Sequence, residues 1–305
     1  MNFLDLTSPM NHYTPASRKW LLLIPLLGIL AYSQAMAQVA LNLQMNKKNY
    51  LIGEPVTATV SITNHSGRQL VLSGDQVSSW LNFQLSIGGR NVPPARRINY
   101  KPAVIPAGQT IARNVNISTT YALGRIGNYT ASSSVKMPGT NISGFTSNRV
   151  HFTVAGGRTV WAQRAGLPQA PNEIREYKLI TFNNNLGLDL YAEVKSQNTG
   201  RRIATIPLGK VLNFRNPTAT LDRQNNMHCL YQVKPDLFAH AVVTPKGQII
   251  SSSYHKPGAL GKPRLTTFTS GEVKVAGSVP YDPKAEAAER RKIRNISERP
   301  NIVYK

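Results

Sequence analysis

Apolar and polar residues alternate with a period of two across residues 39–154, and this alternation limits the possible folds of the chain more than any other feature. Residues 56–62 read Val-Thr-Ala-Thr-Val-Ser-Ile, and residues 83–87 read Phe-Gln-Leu-Ser-Ile. Half-buried antiparallel strands have this pattern, because successive side chains point to opposite faces of a sheet. Turn-forming clusters separate these segments at residues 64–67, 88–89 and 106–108. Several short strands joined by such turns predict a β-sandwich.

Four stretches of this region resemble one type of domain. Residues 50–56, Tyr-Leu-Ile-Gly-Glu-Pro-Val, followed by residues 60–64, resemble the opening of bacterial immunoglobulin-like and macroglobulin-type domains. Residues 127–131 and 152–154 resemble the closing strands of those domains. The resemblance implies that Tyr129 forms a tyrosine corner, in which its hydroxyl bonds to the backbone a few residues upstream.

The resemblance covers about residues 38–156 and implies an immunoglobulin-like β-sandwich. Because that fold carries many unrelated activities, it implies no particular function. The cysteine pair that is usual in such domains is absent, and Trp80 is expected to occupy the centre of the core.

A second β-region follows and is expected to form a separate antiparallel β-domain over residues 173–280. Residues 157–172 contain glycines and prolines and are interpreted as a linker or an irregular crossover. Two units of the second region resemble β-propeller blades, but only two or three blades would fit, and a propeller needs at least about four. A small open or sandwiched sheet is therefore preferred. Its strands are predicted at roughly residues 177–182, 188–195, 201–206, 218–222, 227–233, 237–243, 248–254, 264–268 and 272–275.

The remaining residues, 281–305, are predicted to form a basic helical tail. Asp282 as N-cap, Pro283 at the first helical position and Glu286 in the first turn are typical of a helix start. The helix is expected to extend to about Arg294.

Residues 1–37 have the pattern of a secretory signal peptide. Arg18 and Lys19 precede an apolar run, and Ala-Met-Ala at residues 35–37 precedes Gln38. We therefore expect an exported protein, periplasmic or extracellular, without a transmembrane anchor. Cys229 is the single cysteine, so no intramolecular disulfide can form, and we expect its thiol to lie in the core.

Positive charge is the clearest functional property of the sequence. The formal net charge of the chain is +22, and the predicted signal peptide accounts for only one unit of it. Such a charge favours association with polyanions, and the expected partners are an acidic polysaccharide, the anionic surface of the envelope or nucleic acid. The candidate polyanion-binding residues are Arg96, Arg97, Lys101, Arg290, Arg291, Lys292 and Arg294.

Motifs of catalysis and metal binding are absent or incomplete. The sequence contains neither a G-x-S-x-G elbow nor an H-E-x-x-H helix. His228, His240 and His255 lie on successive predicted strands, but hairpin arithmetic places His240 opposite about Tyr231 and about Ser251. That pairing would separate the histidines by ~10 Å or more along the strands. We therefore expect scattered structural histidines, no metal site, no cofactor and no catalytic residue.

These observations favour a non-catalytic binding or scaffold protein of the cell envelope or the secreted fraction. The alternative is a glycan-binding accessory module of a carbohydrate-active or proteolytic system, which exposed coplanar aromatics such as Trp161 and Tyr177 would favour. A hydrolase whose catalytic residues are dispersed along the sequence is the third class.

Overall fold

The computed structural model describes residues 38–74, 79–136, 144–259 and 261–292. Across these ranges the protein is nearly all β, with several antiparallel sheets, so the predicted all-β class is confirmed. None of the helices in these ranges is long and apolar enough to cross a membrane. The predicted signal peptide lies outside the described residues.

The first region forms two main sheets. Strand β3 lies between β1 and β8 in one sheet, and the other has the order β2-β11-β9-β5-β6 with β10 beside β9. Strands β4 and β7 pair separately, and only β2 and β11 run parallel among the pairs described here. The strands are β1 (Val39–Met45), β2 (Asn49–Leu51), β3 (Thr57–Asn64), β4 (Leu70–Leu72), β5 (Leu81–Ile87), β6 (Arg90–Val92), β7 (Ala103–Ile105), β8 (Thr110–Asn116), β9 (Gly127–Val135), β10 (Phe145–Thr146) and β11 (Val150–Ala155).

Buried side chains of both sheets meet in one hydrophobic core. Trp80 is buried in it, as expected. The Tyr129 hydroxyl donates to the Arg125 carbonyl at 2.8 Å, four residues upstream, which is the geometry of a tyrosine corner. The Tyr129 ring stacks on Phe152 with 5.2 Å between ring centroids. This local feature of the resemblance is therefore present, while the immunoglobulin-like assignment of the whole region stays a prediction.

The second region also forms two main sheets. One is a four-stranded meander in the order β12-β13-β14-β15, and the other has the order β16-β17-β18-β19-β22, with β20 and β21 as a separate hairpin. The strands are β12 (Arg158–Leu167), β13 (Ala170–Asn183), β14 (Leu188–Ser196), β15 (Arg202–Lys210), β16 (Thr218–Leu221), β17 (Met227–Lys234), β18 (Leu237–Val243), β19 (Ile249–Pro257), β20 (Arg264–Thr267), β21 (Val273–Ala276) and β22 (Ser278–Tyr281).

The two sheets of the second region share a core, which matches a sandwiched arrangement rather than propeller blades around a channel. Tyr177 and Leu190 from the meander pack in one cluster with Met227 and Cys229 from the five-stranded sheet. Cys229 is a free, fully buried thiol, and burial raises its pKa. The thiol therefore stays protonated, as expected for a core cysteine.

The segment predicted as a linker, residues 157–172, is instead mostly strand. It contains β12 and the start of β13, which pair as an antiparallel hairpin with a register shift between Gly166 and Leu167. Most side chains of β12 are exposed or half-buried, so the segment lacks the apolar alternation that identifies a strand from sequence. Gly157 precedes β12, and Gly166, Pro168 and Pro171 lie at or beside the turn between the two strands.

A small buried cluster joins the two regions, and we call it the joint. Leu51 of β2 packs with Ile180, Phe182 and Tyr191 of the second region. The Tyr191 hydroxyl donates to Glu54 Oε2 at 3.0 Å, and Glu54 is only 5% exposed. The joint consists of Lys47, Leu51, Glu54, Ile180, Phe182 and Tyr191.

The charge of Glu54 is balanced inside the joint. Lys47 forms an ion pair with it, and the Leu51 backbone N–H donates to its Oε2 at 3.1 Å. A buried carboxylate needs such partners because an unpaired buried charge is costly. Glu54 of the opening motif thus connects the two regions.

The tail begins with helix α1 (Pro283–Lys292). Asp282 Oδ1 accepts from the backbone N–H of Lys284 at 2.8 Å, so the predicted N-cap is confirmed. The predicted helix end, Arg294, lies outside the described residues.

Candidate anion-binding cleft

The basic segment of the first region is a loop that crosses between β6 and β7. Pro93 and Pro94 start it, and their lack of a backbone N–H disfavours continued sheet pairing. The indole N–H of Trp80 is 3.2 Å from the carbonyl oxygens of both Tyr100 and Lys101. At its start, the Ala95 N–H donates to the Thr120 carbonyl at 2.7 Å. The loop is therefore fixed at both ends to the body of the first region.

A cleft of about 450 Å³ lies between this loop and strand β5. Arg96 and Arg97 both line it, and the Arg96 guanidinium donates to the Thr119 carbonyl. We call it the Arg96–Arg97 cleft. Its other lining residues are Ser79, Leu81, Asn82, Phe83, Pro94, Ile98, Asn99, Tyr100, Thr120 and Tyr121.

Two tyrosines supply neutral hydroxyl groups to this cleft. Burial raises the pKa of Tyr100 and of Tyr121, so both hydroxyls remain protonated at neutral pH. The Tyr121 hydroxyl donates to the Phe83 carbonyl, which fixes its ring in the wall. Asn82 and Asn99 add amide groups that can both donate and accept. The cleft thus combines positively charged guanidinium groups, neutral hydroxyls and amides.

Negative charge is scarce around the cleft. The sequence of residues 38–156 contains two carboxylates, Glu54 and Asp75, and Asp75 lies outside the described residues. Glu54 is held in the joint by Lys47. In the described part of the first region, no carboxylate lines the cleft. A planar guanidinium matches a carboxylate or sulfate with two parallel hydrogen bonds, so the site is suited to such anions.

The remaining predicted polyanion-binding residues do not join this site in the described structure. Lys101 is exposed and is not among the residues that line the cleft, although its carbonyl helps to hold Trp80. Arg290, Arg291 and Lys292 lie on α1, and Arg294 lies outside the described residues. Sequence reasoning missed Tyr121, because only the fold brings it beside the basic loop.

The expectation that the histidines are scattered is wrong. His228 Nδ1 lies 3.1 Å from His240 Nε2, and their rings stack with 5.2 Å between centroids. The centroids of His240 and His255 are 6.1 Å apart. We call Asp222, His228, His240 and His255 the imidazole row.

Strand register explains the error. His240 pairs with Leu230 and Ser253, not with Tyr231 and Ser251 as hairpin arithmetic predicts. Irregularities between residues 232 and 234 and between residues 242 and 243 shift the pairing. A bulge of one residue changes which side chains are diagonal neighbours, and turn positions alone do not reveal it.

Both ends of the imidazole row are held by polar groups. Asp222 Oδ2 lies 3.3 Å from His228 Nε2, and Asp222 Oδ1 accepts from the backbone N–H of Asn226 at 2.8 Å. His255 contacts the hydroxyls of Ser253 and Ser278 at 3.0 and 3.2 Å. When both rings are neutral, a bond from His228 Nε2–H to the carboxylate leaves His228 Nδ1 to accept from His240 Nε2–H.

Burial disfavours positive charge on two members of the row, His240 and His255. Burial, reinforced by His228 and His255, lowers the pKa of His240 to about 4. Burial also lowers the pKa of His255. Among the residues that the structure describes, no group of three or more histidine, cysteine or acidic side chains is placed to hold a metal ion.

The aromatic pair considered for glycan binding is not an exposed platform. Tyr177 is fully buried in the core of the second region, and Trp161 is partly buried against the same core. Both residues point inward because the two sheets close over them. The accessory-module alternative therefore loses the surface that favoured it.

Comparison with protein-family models gives no match for this chain. Comparison with curated protein sequences gives no match either. Among solved structures, the chain is similar to the sporulation control protein Spo0M from Bacillus subtilis, with 14% sequence identity and a TM-score of 0.26. The match covers 59% of this chain and 86% of that chain. At this TM-score the similarity supports no statement about function.

Proposed function

We propose that this is an exported, non-catalytic binding protein that holds an acidic polysaccharide segment in the Arg96–Arg97 cleft. The observation that most supports this proposal is that two neighbouring arginines line one concave site. No described carboxylate of the first region lines the same site. Two of the seven candidate residues, Arg96 and Arg97, thereby become part of a shaped cavity.

The shape of the site favours a polysaccharide segment over a membrane surface. A concave cleft of about 450 Å³ can enclose a sugar unit, whereas a flat anionic surface would reach only residues on its rim. Sugar hydroxyls need both donors and acceptors, and Asn82 and Asn99 provide both. The arginines then select the carboxylate or sulfate group of an acidic sugar.

The rest of the molecule adds a long-range attraction. Charge is spread over both β-regions and the tail, so the whole protein draws an anionic polymer toward itself. This contribution depends on ionic strength, because exposed charges are screened over about 8 Å at physiological salt. We therefore expect binding to weaken steeply as salt rises.

Removing the two cleft arginines should weaken binding more than removing two arginines elsewhere. We expect Arg96→Gln combined with Arg97→Gln to lower affinity for heparin, used as the probe, by about tenfold or more, because two charge-assisted hydrogen-bonding groups are lost. The measurement is the salt concentration at which each variant elutes from a heparin column, checked by a binding titration.

The matched control is Arg68→Gln combined with Arg149→Gln. Both control residues are exposed and lie outside the cleft, so this variant loses the same charge without changing the site. It should change affinity by no more than about two- to threefold, the range typical of exposed charges. Equal losses in the two variants would contradict a localised site, and passage of the wild type at about 0.05 M salt would contradict polyanion binding altogether.

Export is the second part of the proposal, and it is supported by the sequence pattern of residues 1–37. We expect the mature protein to begin at Gln38. Mass spectrometry of protein from a secreting host should show this N-terminus, and a mature chain that begins before Arg18 would contradict the proposal.

A further inference from the structure

A second basic cleft lies in the other β-region, and neither sequence pattern nor charge distribution pointed to it. Its open outer part, about 720 Å³, is lined by Phe214, Arg215, Lys262 and Arg264, together with Gln232. Its inner part, about 270 Å³, shares Arg215, Gln232 and Arg264 with the outer part. We call the whole the Arg215–Arg264 cleft. It shares no lining residue with the Arg96–Arg97 cleft.

The cations of this cleft are not neutralised within the described residues. Arg215, Lys262 and Arg264 are exposed, and none of them forms a salt bridge with a described carboxylate. Arginine and lysine side chains donate hydrogen bonds and cannot accept them. The outer part is therefore suited to an anion that only accepts hydrogen bonds, such as a phosphate.

The inner part has a different chemistry. Leu230 and Phe238 are buried and form an apolar floor with Leu265. Threonine and asparagine groups stand around this floor, at Asn216, Thr218, Thr220 and Thr267. An apolar floor with a polar rim suits a planar ring that has apolar faces and polar edges. A sugar with hydroxyls on every side would leave some of them without partners on this floor.

We propose that the Arg215–Arg264 cleft binds a nucleotide, with its base in the inner part and its phosphate between Arg215 and Arg264. Phe214 is 81% exposed at the outer part and offers an unoccupied ring face. A neighbouring base of an oligonucleotide can stack there, since positively charged grooves with exposed aromatics are typical of single-strand binding. The ligand can therefore be a free nucleotide or one unit of a single strand, because both present the same base and phosphate.

The test is a set of binding titrations with the full exported chain. Deoxyadenosine monophosphate and a short oligo-dA, which carry the same base and sugar, are the two positive probes, and inorganic phosphate and deoxyadenosine are the two partial probes. We expect at least one positive probe to bind about tenfold tighter than either partial probe, because only a nucleotide uses both parts of the cleft. Tighter binding of the oligonucleotide identifies a single strand as the source, and equal or tighter binding of the mononucleotide identifies the free ligand.

Variants locate the binding. Arg215→Gln combined with Arg264→Gln should weaken nucleotide binding by about tenfold or more, whereas Lys210→Gln combined with Lys246→Gln, two exposed lysines outside the cleft, should change it by less than about threefold at physiological salt. Arg96→Gln with Arg97→Gln should also leave it unchanged, which separates this proposal from the proposed function. The proposal is overturned if no nucleotide binds at about 1 mM, if phosphate alone binds as tightly, or if the Arg215 and Arg264 variant binds normally.

Discussion

Replacing Gly157 with alanine is expected to destabilise the whole molecule by about 1–3 kcal/mol, because the added methyl group has no space. A Cβ atom at this position would lie 2.5 Å from Ile180 Cγ2 and 2.9 Å from both Leu51 Cδ1 and the Thr181 carbonyl oxygen. Two of these contacts, with Leu51 and Ile180, belong to the joint, so relief of the overlap disturbs side-chain packing between the two β-regions. Thermal unfolding followed by circular dichroism measures the loss.

The neighbouring glycine provides a matched control. A Cβ atom at Gly156 would lie 3.7 Å from Ile126 Cδ1, an ordinary van der Waals contact, so Gly156→Ala should change stability by less than about 0.5 kcal/mol. The joint also predicts that both regions lose stability together in the Gly157 variant. Equal melting temperatures for the two variants, or a loss confined to one region, would contradict this view of the joint.

Acidification from pH 6.5 toward pH 4 is expected to destabilise the second β-region through the imidazole row. The folded state lowers the pKa of His240 to about 4, while an unfolded histidine has a pKa near 6.5. Between pH 6.5 and pH 4 the unfolded chain binds more protons at His240 than the folded protein does. The free energy of unfolding is therefore highest above pH 6.5, and this contribution is lost as the pH falls toward the folded pKa. The loss is about 1–2 kcal/mol, since water screens a partly exposed ring and reduces the full linkage value.

His240→Gln isolates this contribution. Glutamine can still donate to His228 Nδ1 but does not titrate, so the fall in melting temperature between pH 6.5 and pH 5 should become shallower. His255 titrates in the same direction, so some of the fall should remain. His65→Gln removes an exposed histidine and should leave the slope unchanged. An unaltered slope in the His240 variant would show that the row does not control acid stability.

Strand positions could be predicted because burial imposes a simple pattern on them. In β3, half-buried and buried residues alternate along the whole strand, which is the alternation seen in its sequence. Strand β12 lacks this pattern because most of its side chains face solvent, and it was interpreted as linker. The joint could not be predicted, since the contact between Leu51 and Tyr191 joins residues far apart in the chain and follows no local rule.

The candidate site was predictable only in part. Arg96 and Arg97 are adjacent in sequence, so the sequence alone shows that they lie close together. The cleft itself could not be predicted, because it depends on how Trp80 and Thr120 fix the loop. The imidazole row depends on strand irregularities at residues 232–234 and 242–243, and the amino acids at these positions do not predict them. The Arg215–Arg264 cleft brings together Arg215 and Arg264 from separate segments, and a tertiary fold is needed to unite them.

Backbone amide chemical shifts, recorded by NMR while an acidic hexasaccharide is added, test the central proposal most directly. The proposal predicts that the largest shifts occur in residues 96–100 of the basic loop, in residues 81–83 of β5 and in Thr120 and Tyr121, all of which line the Arg96–Arg97 cleft. It also predicts that these shifts are lost in the Arg96→Gln, Arg97→Gln variant and kept in the Arg68→Gln, Arg149→Gln control. Shifts scattered evenly over the basic surface, or no shifts near the cleft at saturating ligand, would contradict it.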